Sequence, residues 1–149
     1  MSNTDYCRSI MVNIPAQEAY RKIFDVDKWW TKNIEGPSTT LNDAFVINYG
    51  KDMHYSKHQL IEAIPNQRIV WLVAESKLNW IPNEKEEWTG TKLVFDIAAG
   101  GDKTTVTFTH EGLGPAKECF IDCSKGWDLF IGEHLFKYLE EGLAMAQQK

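Results

Sequence analysis

The 149-residue sequence contains no apolar run approaching the ~20 residues that a membrane-spanning helix needs. Basic residues are in the minority, 16 against 21 acidic ones, for a net charge of −5. That balance argues against a nucleic-acid binder, which needs a basic face to neutralise phosphates. It argues equally against an anionic membrane surface as partner. Cysteine is scarce, with only Cys7, Cys119 and Cys123. An odd count without an apolar N-terminal segment points to free thiols and a cytoplasmic location. A domain of this size buries enough surface to fold without a disulfide or metal. Repeats and low-complexity segments are absent, as are G-x-S-x-G, a phosphate loop and G-x-G-x-x-G. What the chain has in quantity is aromatic side chains: six Trp, five Tyr and seven Phe.

The pattern along the chain is α+β. Cys7–Val12 reads as a strand, and Pro15 opens a helix whose apolar positions Ala16, Ala19, Tyr20, Ile23 and Phe24 keep helical spacing. Trp29-Trp30 falls on a short second helix or turn, and residues 33–42 read as a polar loop. Strands are expected over 44–49, 53–64, 68–74, 92–98 and 104–110, joined by short turns and therefore antiparallel in sequence order. Residues 75–90 read as a long mixed linker holding Trp80 and Trp88, placed at the mouth of any cavity. A helix is expected from about Cys119 to Ala146, with Cys123, Trp127, Ile131, Leu135, Tyr138 and Leu139 as its apolar stripe. At 1.5 Å per residue it would be roughly 35–40 Å long, enough to cross a sheet. Gly126 within it suggests a close backbone approach.

Four segments resemble one known family. Val12-Asn13-Ile14-Pro15-Ala16 with Ala19-Tyr20, the pair Trp29-Trp30, the stretch TTVTFTHEGL from Thr104 to Leu113, and Gly126-Trp127 with Leu135, Tyr138-Leu139 and Gly142 occur in the same order. Together they are similar to the activator of heat-shock protein 90 ATPase homologues, within the helix-grip superfamily of START and birch-pollen-allergen-like proteins. The resemblance implies a single helix-grip domain. Its antiparallel sheet of six or seven strands would curve around a long C-terminal helix, with two short N-terminal helices. It also implies a cavity between sheet and helix. The family's chaperone activators carry a further N-terminal domain that this sequence does not include, so binding of a small apolar or amphipathic molecule leads the expectations. Stimulation of the chaperone ATPase and an enzyme acting on a cavity-bound molecule are the alternatives. A homodimer stays open.

Within that frame the ligand-binding candidates are Trp30, Trp71, Phe95, Phe108, His110, Trp127, Phe130, Ile131 and His134. His110 follows Val106 and Phe108 by the period of two, so it would be a polar handle among apolar walls. His54 and His58 share one strand face but lie ~13 Å apart, too far to share a metal. They read as solvent-facing. Cys119 and Cys123, four apart, read as buried hydrophobes instead of ligands. Glu84, Glu86 and Glu87 read as a solvated loop, and nothing in their spacing or that of Asp25 and Asp27 makes a catalytic pair. No metal, no cofactor and no catalytic residue is expected.

Overall fold

The computed structural model describes residues 5–50, 53–83 and 85–144. It has seven strands: β1 (Tyr6–Val12), β2 (Ile34–Glu35), β3 (Ala44–Tyr49), β4 (His54–Ile64), β5 (Arg68–Leu78), β6 (Lys92–Gly100) and β7 (Lys103–Glu111). They form one antiparallel sheet in the order β1-β7-β6-β5-β4-β3-β2. Consecutive strands from β2 to β7 are neighbours: short turns join β3 to β4, β4 to β5 and β6 to β7, and β5 and β6 pair across the long loop between them. β1 closes onto β7, with Ile10 opposite Val106 and Val12 opposite Thr104.

Two short helices, α1 (Ala16–Ile23) and α2 (Val26–Trp29), follow β1. Pro15 is the cap of α1, with φ −64° already set for entry into the helix. The C-terminal rod begins as α3 (Phe120–Leu129), passes through a π-helical segment (Phe130–Leu135) and ends as α4 (Phe136–Glu141). Its 22 residues span roughly 33 Å. Gly142, at φ 73°, stops it.

The π segment has a cause in the sequence. Cys123, Trp127, Ile131, Leu135 and Leu139 are all buried and spaced by four. A stripe with period four drifts around a 3.6-residue helix. The wider π turn, with its i→i+5 bonding, rotates less per residue and brings the stripe back over the sheet.

Four details depart from the sequence expectations. The polar stretch 33–42 contains the short strand β2. β5 does not stop at Ala74 but runs to Leu78. There the ladder jumps from His58 opposite Val73 to Lys57 opposite Glu75, leaving Ala74 as an extra residue. This bulge shifts the inward phase from Ile69, Trp71 and Val73 to Ser76 and Leu78, so strict alternation ends although the strand does not. The rod's described helical part ends at Glu141, short of the expected Ala146, which lies outside the described residues. Finally, Gly126 makes no close backbone approach; a Cβ there would meet only the Phe130 ring, at 3.9 Å. Gly132 is the crowded position, where a Cβ would lie 2.7 Å from the Arg8 guanidinium carbon.

Candidate functional site

β3, β4, the loop after β5, Trp30 at the end of α2 and the front of the rod surround a pocket of about 270 Å³. Tyr49 and His54 contribute from the strands and Trp80 and Trp88 from the loop; Asp122, Cys123, Gly126, Trp127 and Phe130 contribute from the rod. The walls are predominantly apolar and aromatic, the usual character of a small-molecule site. Gly126 therefore leaves space at the pocket, not at a backbone contact.

The rings are locked to one another. Trp88 stacks on Trp127 with centroids 5.7 Å apart and planes 13° apart. Trp30 meets Trp127 at 5.0 Å and Phe130 at 6.2 Å. Tyr49 lies flat on His54 at 4.6 Å. Both members of the Trp29-Trp30 pair are buried. Trp29 is a core anchor whose indole donates to the Ile23 carbonyl at 3.0 Å. Trp30 is the member that faces the pocket.

A buried hydrogen-bond chain fixes the back of this wall. Trp127 Nε1 donates to His110 Nδ1 at 3.0 Å. His110 Nδ1 is therefore an acceptor, and Nε2 carries the proton and donates to Thr91 Oγ1 at 2.8 Å. Thr91 in turn donates to the Trp88 carbonyl at 2.5 Å. Gly112, at φ 105°, makes this possible, since a Cβ there would fall 2.7 Å from Thr91 Cγ2. Burial lowers the His110 pKa to about 3, so the ring is neutral. Both its nitrogens are engaged by the protein itself, so the ring positions Trp127 and Trp88.

The loop carrying Trp80 and Trp88 is tied to the rod. Trp88 Nε1 donates to Cys123 Sγ at 3.3 Å. Glu87 accepts from the backbone N–H groups of Glu118 and Cys119, at 2.6 and 2.9 Å. A carboxylate at the start of a helix satisfies unpaired donors and complements the dipole. The glutamate run is thus not uniformly a solvated loop: Glu86 is exposed, Glu87 is a helix cap, and Glu84 lies outside the described residues. Cys119 and Cys123 are buried and free, as expected. The hydrogen bond with Cys119 and burial push the Cys123 thiol up, which favours its protonated form.

His54 and His58 are not solvent-facing. Both are buried, as is Ser56 between them, and the three point inward along β4. His54 Nε2 bonds Ser56 Oγ at 2.8 Å. Burial lowers the His54 pKa to about 4 and holds that of His58 well below the usual imidazole range. This inward polar strip was missed because the outward positions of β4, Tyr55, Lys57 and Gln59, are polar too. Alternation alone cannot choose a face when both faces carry polar residues. The same burial raises the pKa of Tyr49 to about 12. No cluster of three or more His, Cys, Asp or Glu suited to a metal occurs among the described residues.

Of the sequence candidates, Trp30, Trp127 and Phe130 line the pocket. Trp71, Phe95, Phe108 and Ile131 are buried in the packed core behind it, with Phe95 touching Trp71 at 5.5 Å and Phe108 at 5.0 Å. His134 sits on the π segment beside Phe130, centroids 5.9 Å apart. Trp80 and Trp88 are at the pocket, where the linker reading put them. Tyr49 and His54 are additions.

Comparison with solved structures decides the fold. The solution structure of the Aha1 dimer from Colwellia psychrerythraea superposes with a TM-score of 0.75 at 22% identity, covering 94% of this chain and 98% of that one. This is the helix-grip fold. Protein SSP2350 from Staphylococcus saprophyticus shares it at TM-score 0.69 and 15% identity, over 97% of both chains. So does DynU16, from the dynemicin biosynthetic locus, at TM-score 0.68 and 18% identity, over 96% of this chain and 49% of that one. No protein-family model matches the sequence, and no curated protein matches it. The pocket lies between β3–β4 and the front of the rod. No helix among the described residues is long and apolar enough to cross a membrane.

Proposed function

We propose that this helix-grip domain binds a small, flat, apolar or amphipathic molecule in the pocket between β3–β4 and the rod. One observation carries the reading: four of the six Trp, namely Trp30, Trp80, Trp88 and Trp127, face one pocket of about 270 Å³. Burial of apolar area would supply the affinity, at roughly 25 cal/mol per Å² before ordering costs. Edge and face contacts with the rings favour an aromatic guest. Catalysis has little support, since His54 is the one imidazole lining the pocket and a pKa of about 4 makes it a weak base at neutral pH.

The same four Trp report on occupancy. Titration with a panel of fused-ring aromatics and fatty acids, followed by intrinsic fluorescence and thermal shift, should give saturable quenching and a raised Tm for the ring compounds. Trp80 is only half-buried, so Trp80→Ala should keep the fold and weaken binding at least about tenfold. Absence of any saturable response across the panel would defeat the reading. The fold likeness to the Aha1 dimer supports a second reading, in which the chain self-associates and stimulates a heat-shock protein 90 ATPase. Sedimentation and a chaperone ATPase assay at saturating chain test it directly.

A further inference from the structure

The pocket stops at Trp30, but the polar strip of β4 continues behind it. His54 lines the open pocket. Four residues further along the same inward face, His58 is fully buried, and neither ring nitrogen has a hydrogen-bond partner. Its ring lies 5.2 Å from Trp30 and 4.9 Å from Phe45. Trp30 is therefore the partition between the pocket and His58. On the next strand Leu60 faces Trp71 and His58 faces Val73, so Trp71 is a diagonal neighbour of His58 on the inner face. Trp71 also touches Phe45, at 5.2 Å, and its buried indole N–H is without a partner. The N–H of Trp30 is buried too, and its effect on the Tyr49 hydroxyl is to oppose the rise that burial imposes.

Unpaired buried polar groups are costly and rare. Two other buried histidines are paired: His110 satisfies both nitrogens through Trp127 and Thr91, and His54 bonds Ser56 through Nε2. Among the described residues, four buried side-chain atoms without a partner, His58 Nδ1 and Nε2, Trp30 Nε1 and Trp71 Nε1, belong to the wall at and behind Trp30; Ser124 Oγ on α3 is another. A neutral imidazole offers one donor and one acceptor, and a neighbouring indole offers a donor. Their complement is a neutral hydroxyl or carbonyl oxygen. A carboxylate fits worse, because no cation stands there to offset its burial.

We propose that the ligand of this pocket carries a neutral phenolic or carbonyl oxygen on its leading edge, and that this oxygen passes Trp30 and hydrogen-bonds to His58. The proposal rests on the ligand-binding reading above and adds the chemistry of the guest. Trp30 turns aside to admit it, exchanging ring contacts with His58 for ring contacts with the guest. Lowered basicity keeps His58 neutral, so recognition should be independent of pH near neutrality.

Two probes of the same shape make the test: 2-naphthol and 2-methylnaphthalene, titrated into the full chain by calorimetry near pH 7.5. An apolar site without a polar partner prefers the methyl compound, since the hydroxyl must shed its water unpaid. If His58 receives the oxygen, wild type binds 2-naphthol about tenfold tighter or better. In His58→Leu the preference reverses, while 2-methylnaphthalene binds as before. A methyl preference in wild type that His58→Leu leaves unchanged overturns the inference and leaves the ligand-binding reading standing. Failure of both probes to bind defeats that reading with it. As a check that needs no variant, 2-naphthol and not 2-methylnaphthalene should shift the His58 ring ¹⁵N resonances; no shift with bound naphthol also overturns the proposal.

Discussion

The interior has two halves that solve the same packing problem differently. Under α1 and α4 it is aliphatic and dry. Val12, Ala19, Ile23, Val106 and Leu139 are essentially sealed from solvent. The polar groups around them are paired: Thr104 donates to the Ile14 carbonyl at 2.5 Å, and Tyr138 donates to Asp25 at 2.6 Å. Under α2 and the front of α3 the interior is aromatic. Trp30, Trp88 and Trp127 crowd together with three buried histidines, a pocket opens, and His58 and the Trp71 indole go unpaired. Small branched side chains interdigitate to crystal-like density. Large rigid rings held by edge and face contacts leave gaps. One fold thus carries a half that secures stability and a half that spends some of it on space.

Acid should separate the halves most. His54, His58 and His110 all belong to the aromatic half, and burial holds each below the unfolded value of about 6.5. Their folded pKa values are depressed, and a depressed imidazole keeps the folded chain from taking up protons that the unfolded chain accepts. Stability is therefore intact above about pH 6.5 and falls as pH drops below it. With three such groups the slope is roughly 4 kcal/mol per pH unit. The expected outcome is a steep fall in Tm between about pH 6.5 and pH 5. A flat Tm across that window would mean that the histidines are not buried together.

Next in size is truncation in the dry half. Ile23→Ala should cost about 2–5 kcal/mol by denaturant titration, because Ile23 is fully buried. It should leave ligand affinity within about twofold. Equal damage to binding would break the division into halves. Glu87→Ala should cost about 1 kcal/mol by removing two backbone hydrogen bonds at the start of α3. Its sharper effect should be on the Trp88 wall, read as faster hydrogen exchange over 79–90. The smallest change is Gly132→Ala. The added Cβ meets the far end of the Arg8 side chain, which can swing aside. That displaces an exposed Arg8–Asp128 pair worth under about 1 kcal/mol. Better helix propensity offsets the loss, so Tm should stay within about 2 °C.

Much of this was legible in the residues. Antiparallel order followed from short turns, and Pro15, Trp29-Trp30 and the Gly126-Trp127 helix pointed to the helix-grip fold. Of the nine ligand-binding candidates read from the sequence, Trp30, Trp127 and Phe130 line the pocket, whereas Trp71, Phe95, Phe108 and Ile131 fill the core behind it. The π segment left a trace as well, in the four-residue spacing from Cys123 to Leu139. What failed was reading which face a residue takes when local pattern is neutral. The bulge at Ala74 broke the alternation that would have extended β5, and β4 carries polar residues on both faces.

By itself, the sequence determined most of the elements, their order and the abundance of rings, because periodicity and turn chemistry act over a few residues. Only the tertiary structure decided that His54, Ser56 and His58 face inward, that His110 is occupied by Trp127 and Thr91, and that four Trp converge on one space. Those facts depend on register across strands and on which groups meet over long separations, and no local pattern encodes either.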